Sequence, residues 1–232
     1  QAWTQEITSY NGNHFKIPPR EVLPKPVQKP HPPLWSACGS EETVKLAGEM
    51  GLGALFGSEG GPEKIGSLME TYRETIKAAK SPSGMINNQA AVMTAGFCHE
   101  DPAVVSTRGV ELVDWYMEQQ RERARLVWQG VDPSTVPPDY KGYYERDMRL
   151  AAGPHEGEPT AEQVVNKGGS FLVGTPEECI KFVESYEAMG IEQVFSLNAI
   201  GPESHEETMN TLKMFGEHVI PYFKNKEKNA GT

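Results

Sequence analysis

Apolar positions in this chain fall into two spacings. Short continuous runs, Pro33–Cys38, Gly53–Phe56, Asn87–Phe97 and Gln193–Leu197, have the length and content of buried strands. Each is followed by a stretch with helical period. Ser40 is placed to cap a helix with Glu41 and Glu42 in its first turn, Val44, Leu46 and Ala47 on its apolar face and Gly51 at its end. Gly60-Gly61-Pro62 introduces a helix from about Glu63 to Ala79, and Asp101-Pro102 opens a long one that reaches about Trp128. Thr175-Pro176-Glu177-Glu178 is a capping box before an apolar face of Cys179, Phe182, Val183, Tyr186 and Met189, closed by Gly190. A second capping box, Ser204-His205-Glu206-Glu207, opens a helix through Met209, Leu212, Phe215 and Val219 that ends at Pro221.

Two segments break this rhythm. Asn11-Gly12-Asn13 is a turn between Ile7–Tyr10 and His14–Ile17, which predicts a small hairpin. Prolines then crowd the interval Pro18–Pro30, and they predict an extended surface loop that no sheet contains. Gly130–Gly169 is rich in Pro, Gly and Tyr and too long for an ordinary connection. It reads as an irregular insertion with an extra helix, either a lid or a mobile excursion. The order is therefore βα, βα, βα, insertion, βα, and such alternation means parallel strands joined by crossover helices. Four units do not close a barrel of eight. The pattern alone leaves open a broken barrel or an open four-stranded α/β sheet.

Composition narrows the function. The formal net charge of −10 repels phosphate backbones and anionic lipid, so neither nucleic acid nor a membrane surface is an expected partner. Arg121, Arg123 and Arg125, with Glu122 among them, read as a solvated helix face. Cys38, Cys98 and Cys179 stand far apart without CxxC spacing, which argues against a disulfide framework or a zinc site and fits a reducing, cytoplasmic compartment. His31, flanked by prolines, reads as structural, while His155, His205 and His218 lack partners at metal-binding spacing, so no metal is expected. No apolar run approaches the ~20 residues that span a bilayer.

Pro24-Lys25-Pro26-Val27-Gln28-Lys29-Pro30-His31-Pro32-Pro33-Leu34-Trp35, with Tyr10-Asn11-Gly12 and His14-Phe15 before it, resembles the approach to the fifth barrel strand in luciferase-like (bacterial luciferase family) flavin-dependent monooxygenases. Ser40-Glu41-Glu42-Thr43, with Ala47-Gly48 and Gly51, is similar to the start of the following helix. Gly174-Thr175-Pro176-Glu177-Glu178 resembles the opening of the helix before the last strand, and His205–Pro221 the terminal helix. The resemblance implies an α/β chain whose residues 1–232 form the C-terminal half of a (β/α)8 TIM-type barrel, units five to eight. A lid-like insertion at about 130–169 would precede the last βα unit, and units one to four would lie upstream of Gln1. It implies an oxidoreductase that uses reduced flavin mononucleotide (FMN) and O2 on a small organic substrate, with a separate flavin reductase supplying the reduced cofactor. Related barrels imply an alternative, hydride transfer with the deazaflavin F420. A third reading is a non-catalytic half-barrel that works only by association. The isolated chain is expected to be inactive and homo-oligomeric, because a half-barrel leaves strand edges and an apolar face uncovered.

Three places carry candidate chemistry. Gly39, Ser40 and Thr43 sit where a strand passes into a helix, the functional edge of a parallel α/β fold. They read either as a plain N-cap, worth about 1 kcal/mol, or as a phosphate seat of backbone N–H groups, hydroxyls and a positive dipole end. The resemblance places the FMN phosphate at Ser40 and Thr43. His99 ends the third strand and is the catalytic candidate, a group able to orient substrate or donate a proton, or else a loop histidine before a helix capped by Asp101. In the insertion, Tyr140, Tyr143 and Tyr144 with Lys141 and Arg146 are placed to fold over a flavin and exclude water.

Overall fold

The computed structural model describes residues 1–58, 61–154, 159–167 and 169–230. Gly60 and His155, both named above, lie outside them. The chain forms two compact units. The first holds Gln1–Gly57, Ile65–Ala91 and Ile191–Gln193; the second holds Ser58–Lys64, Val92–Gly190 and Val194–Thr232.

The first unit opens with an antiparallel ribbon, β1 (Ile7–Asn11) against β2 (Lys16–Glu21). The prolines were expected to stay out of any sheet, yet Pro18 and Pro19 lie inside β2. The register explains why they fit. Thr8 pairs with Arg20 and Tyr10 with Ile17, so Ser9 alone opposes the two prolines in a bulge. A bulge in a solvent-facing two-stranded ribbon needs no N–H from either ring. His31 is buried, and its Nδ1 lies 2.7 Å from the Pro32 carbonyl, which agrees with a structural role.

Two parallel strands follow, β3 (Trp35–Cys38) and β4 (Gly53–Gly57), paired from Trp35–Gly53 to Cys38–Phe56. Helix α1 (Glu41–Met50) joins them and ends on Gly51 with φ +69°, the left-handed conformation a glycine tolerates. Helix α2 (Gly61–Thr75) sends Ile65, Met69 and Tyr72 into the core beside Val44, Ala47, Ala54 and Phe56. The Tyr72 hydroxyl lies 2.9 Å from Leu52 O, 3.0 Å from Asn87 O and 3.2 Å from Gln89 O, and so ties the strand ends together. Burial raises its pKa to about 12.

The second unit is built on β5 (Ala90–Cys98), whose first two residues belong to the first unit. Strand β5 continues into α3 (Pro102–Val104), a π turn at Val105–Gly109 and α4 (Val110–Val127). The insertion is more ordered than its composition predicts. It contains α5 (Lys141–Ala151) and α6 (Ala161–Lys167) with short 3-10 turns before them. The anchor of α5 is Asp147, whose carboxylate accepts Trp128 Nε1–H at 3.0 Å and Arg146 Nε–H and Nη2–H at 3.0 and 2.8 Å. Trp128 also meets Tyr144 edge-on at 5.2 Å. Arg121 departs from the solvated face expected of it. It is buried and pairs with Glu118 at 3.4 Å.

An unforeseen strand, β6 (Leu172–Gly174), pairs parallel with Gly96–Cys98 of β5. Helix α7 (Pro176–Glu187) follows its capping box, and β7 (Gln193–Leu197) pairs with β5. Ala95, Phe97, Leu112, Val113, Ala161 and Val173 form the core here. The last helix does not stop at Pro221. Helix α8 (His205–Met214) passes through a π turn at Phe215–Val219 into α9 (Ile220–Ala230). Pro221 therefore sits in the first turn after the π turn, where a missing N–H is tolerated.

Candidate functional site

The first unit places Gly39, Ser40 and Thr43 together in the turn from β3 to α1. Ser40 is the N-cap: its Oγ accepts the Thr43 N–H at 3.3 Å. Thr43 replies in kind, its Oγ1 accepting the Ser40 N–H at 3.1 Å and donating to Ser40 O at 2.9 Å. The two hydroxyl oxygens are 3.2 Å apart. The plain N-cap reading is thus realised in full. It leaves room for the other. With the Thr43 hydrogen on the Ser40 carbonyl, the Ser40 hydroxyl is left to donate across the 3.2 Å contact to Thr43 Oγ1, and an anion at the turn would compete with Thr43 for that hydrogen. The N–H groups of Glu41 and Glu42 begin the helix and have no acceptor one turn earlier. A side chain at Gly39 would meet nothing within 4 Å, so the space before the turn is open. Glu41 counts little against an anion. Lys45 pairs with it at 2.7 Å and holds its carboxyl below the usual range.

His99 belongs to the second unit, just past β5. Its N–H donates to Gly174 O at 3.2 Å, and its Nδ1 accepts the Asp101 N–H at 3.0 Å. With Nδ1 an acceptor, the neutral ring carries its proton on Nε2. Asp101 also caps the following helix, accepting Ala103 N–H at 2.8 Å. The histidine is oriented as a donor while it serves the helix start.

Sequence reading missed the polar cluster beyond β7. Arg108 stands on the π turn and binds three groups. Its Nε–H donates to Glu207 at 2.7 Å, Nη1–H to Glu111 at 3.0 Å and Nη2–H to Pro202 O at 2.6 Å. The arginine, helped by the Ser204 N–H, pulls the Glu207 pKa down to about 2. Glu203 accepts the Ile200 N–H at 2.7 Å, its other oxygen is buried without a partner among the described residues, and burial raises its pKa. Arg108 and Glu207 are a helix turn and a capping box in sequence, and their meeting is a product of topology. The cysteines also come closer than their spacing implied. Both Cys98 and Cys179 are buried free thiols, Cys179 couples electrostatically to Cys98, and its S–H donates to Gly174 O at 3.8 Å.

The family model of luciferase-like monooxygenases matches residues 1–193. The chain belongs to that family. It is 21% identical to an FMNH2-dependent dimethylsulfone monooxygenase of Pseudomonas putida, over 97% of this chain and 56% of the relative. Among solved structures it resembles the monooxygenase RslO1 of Streptomyces bottropensis (TM-score 0.61, 20% identity, 96% of this chain, 57% of that one). It also resembles a coenzyme F420-dependent tetrahydromethanopterin reductase of Methanopyrus kandleri (TM-score 0.55, 18% identity, 93% and 58%). The chain thus spans a little over half the length of these relatives. Among the described residues no group of acidic, histidine or cysteine side chains is placed to hold a metal, and no helix is long and apolar enough to cross a membrane.

Proposed function

We propose that this chain is the C-terminal half of a luciferase-like barrel whose whole enzyme uses reduced FMN and O2 to oxygenate a small organic substrate. The observation that carries the reading is the β3–α1 turn. In a chain of this family it joins a capped helix start, two hydroxyls that hold each other across it and open space beside Gly39. Ser40 and the first N–H groups of α1 would hold the FMN phosphate, with Thr43 keeping the Ser40 oxygen in place. FMN, when bound and reduced, supplies the electrons for oxygen activation. The protein binds it, orients it and excludes water. His99 would present Nε2–H to a substrate or product oxygen at the carboxyl end of β5. A flavin reductase would deliver the reduced cofactor.

The test is a titration of the chain with FMN, riboflavin and F420 in parallel. FMN binding tighter than riboflavin, with the difference abolished in Ser40→Ala, supports the phosphate seat. F420 binding tighter than FMN would move the reading to hydride transfer without oxygen.

A further inference from the structure

Ala199 has φ +59° and is the non-glycine residue with a positive φ among the described residues. That conformation is disfavoured for an L-residue, whose Cβ crowds the following carbonyl oxygen. It persists because both sides of the loop are held. Glu203 takes the Ile200 N–H, and Arg108 takes Pro202 O from the π turn. Strain kept in place by surrounding structure, just past the carboxyl end of β7, points to a purpose beyond packing.

The residue that this turn sets is Asn198. Its Oδ1 accepts the Ser196 hydroxyl at 3.0 Å, and one Nδ2–H reaches back to Ser196 O at 3.4 Å. Ser196 reaches this position because residue 96 is glycine. A Cβ on Gly96 would lie 2.0 Å from Ser196 Oγ and 3.3 Å from Asn198 Oδ1. The carboxamide is therefore fixed with its oxygen occupied. Its second Nδ2–H has no partner among the described residues, and the side chain is half-buried. Both the Gly96 gap and the Ala199 turn converge on one oriented, uncharged hydrogen-bond donor.

We infer that Asn198 is a ligand-binding residue. Its Nδ2–H donates to an uncharged acceptor oxygen, a flavin-ring carbonyl or an oxygen of the organic substrate. Ser196 and Gly96 are positioning residues for it. The inference rests on the flavin-monooxygenase reading of the chain, but not on the phosphate seat at Ser40.

Riboflavin, which has the ring without the phosphate, and dimethyl sulfone serve as the two probes, titrated against the full 232-residue chain. The readouts are the dissociation constant and the NMR shift of the Asn198 side-chain amide. Asn198→Ala is expected to weaken one probe about five- to tenfold, the worth of one hydrogen bond, with an unchanged unfolding midpoint. Asn198→Asp, nearly isosteric but without the donor, is expected to weaken it at least as much. Loss for riboflavin assigns the donor to the ring, and loss for dimethyl sulfone assigns it to the substrate. Wild-type affinity for both probes in both variants overturns the inference, as does a wild-type chain that binds neither probe. Failure of the phosphate seat has a separate signature, FMN binding no tighter than riboflavin while Asn198→Ala still weakens both.

Discussion

Glu203 and Glu207 lie in one cluster and titrate in opposite directions. The folded pKa of Glu207 is depressed to about 2 from an ordinary 4.5, so its contribution is present above the ordinary value and lost as pH falls toward 2. Glu203 is raised by burial, so its contribution is present below the ordinary value and lost as pH rises through the folded one. Glu207→Gln is therefore expected to lower stability at neutral pH and to flatten the acid limb. Glu203→Gln is expected to raise stability at neutral pH, because it keeps an acceptor for Ile200 N–H and removes a buried charge. Urea unfolding at neutral pH and through the acid range checks both, and equal shifts of the same sign would refute the assignment. None of this was legible in the sequence. Glu207 reads there as the third position of a capping box, which it also is. Its partner Arg108 is 99 residues away and depends on a π turn that no local pattern announces. Ser40 and Thr43 were legible because a cap is local. What the sequence left undetermined there was how the two hydroxyls share their hydrogens, which the hydrogen-bond pattern shows.

Among the elements, periodicity found helices α1, α2, α4, α7 and α8 and strands β3, β4, β5 and β7. It failed where a short element depends on a distant partner. Strand β6 has three residues, and its pairing to Gly96–Cys98 alone makes it a strand. The insertion failed for a related reason. Its Pro and Gly content hides α5, whose stability comes from Asp147 meeting Trp128 and Arg146. Burial works against the Asp147 charge, but the hydrogen bonds from Arg146 and Trp128 outweigh it and hold the carboxyl below its usual range. Asp147→Ala is expected to cost about 1–3 kcal/mol and to release the α5 amides selectively. Hydrogen exchange that speeds up over Lys141–Ala151 and leaves α7 protected would match. Unchanged protection of α5 would contradict the anchor.

For the whole molecule, the chain spans a little over half the length of its relatives. Strand β7 pairs with β5 alone among the described strands, and Phe195 and Leu197 stand 49% and 40% exposed on it. An uncharged strand with apolar side chains in solvent favours association. Sedimentation of the isolated chain is expected to show concentration-dependent oligomers, reduced by Phe195→Lys. A strictly monomeric wild-type profile would contradict this.

Whether the β3–α1 turn is the phosphate end of a flavin site is decided by a paired titration of the 232-residue chain with FMN and riboflavin. Saturable FMN binding tighter than riboflavin is expected, an advantage that disappears in Ser40→Ala with the fold intact by circular dichroism. Equal affinity for the two flavins, or an FMN advantage untouched by Ser40→Ala, would contradict it.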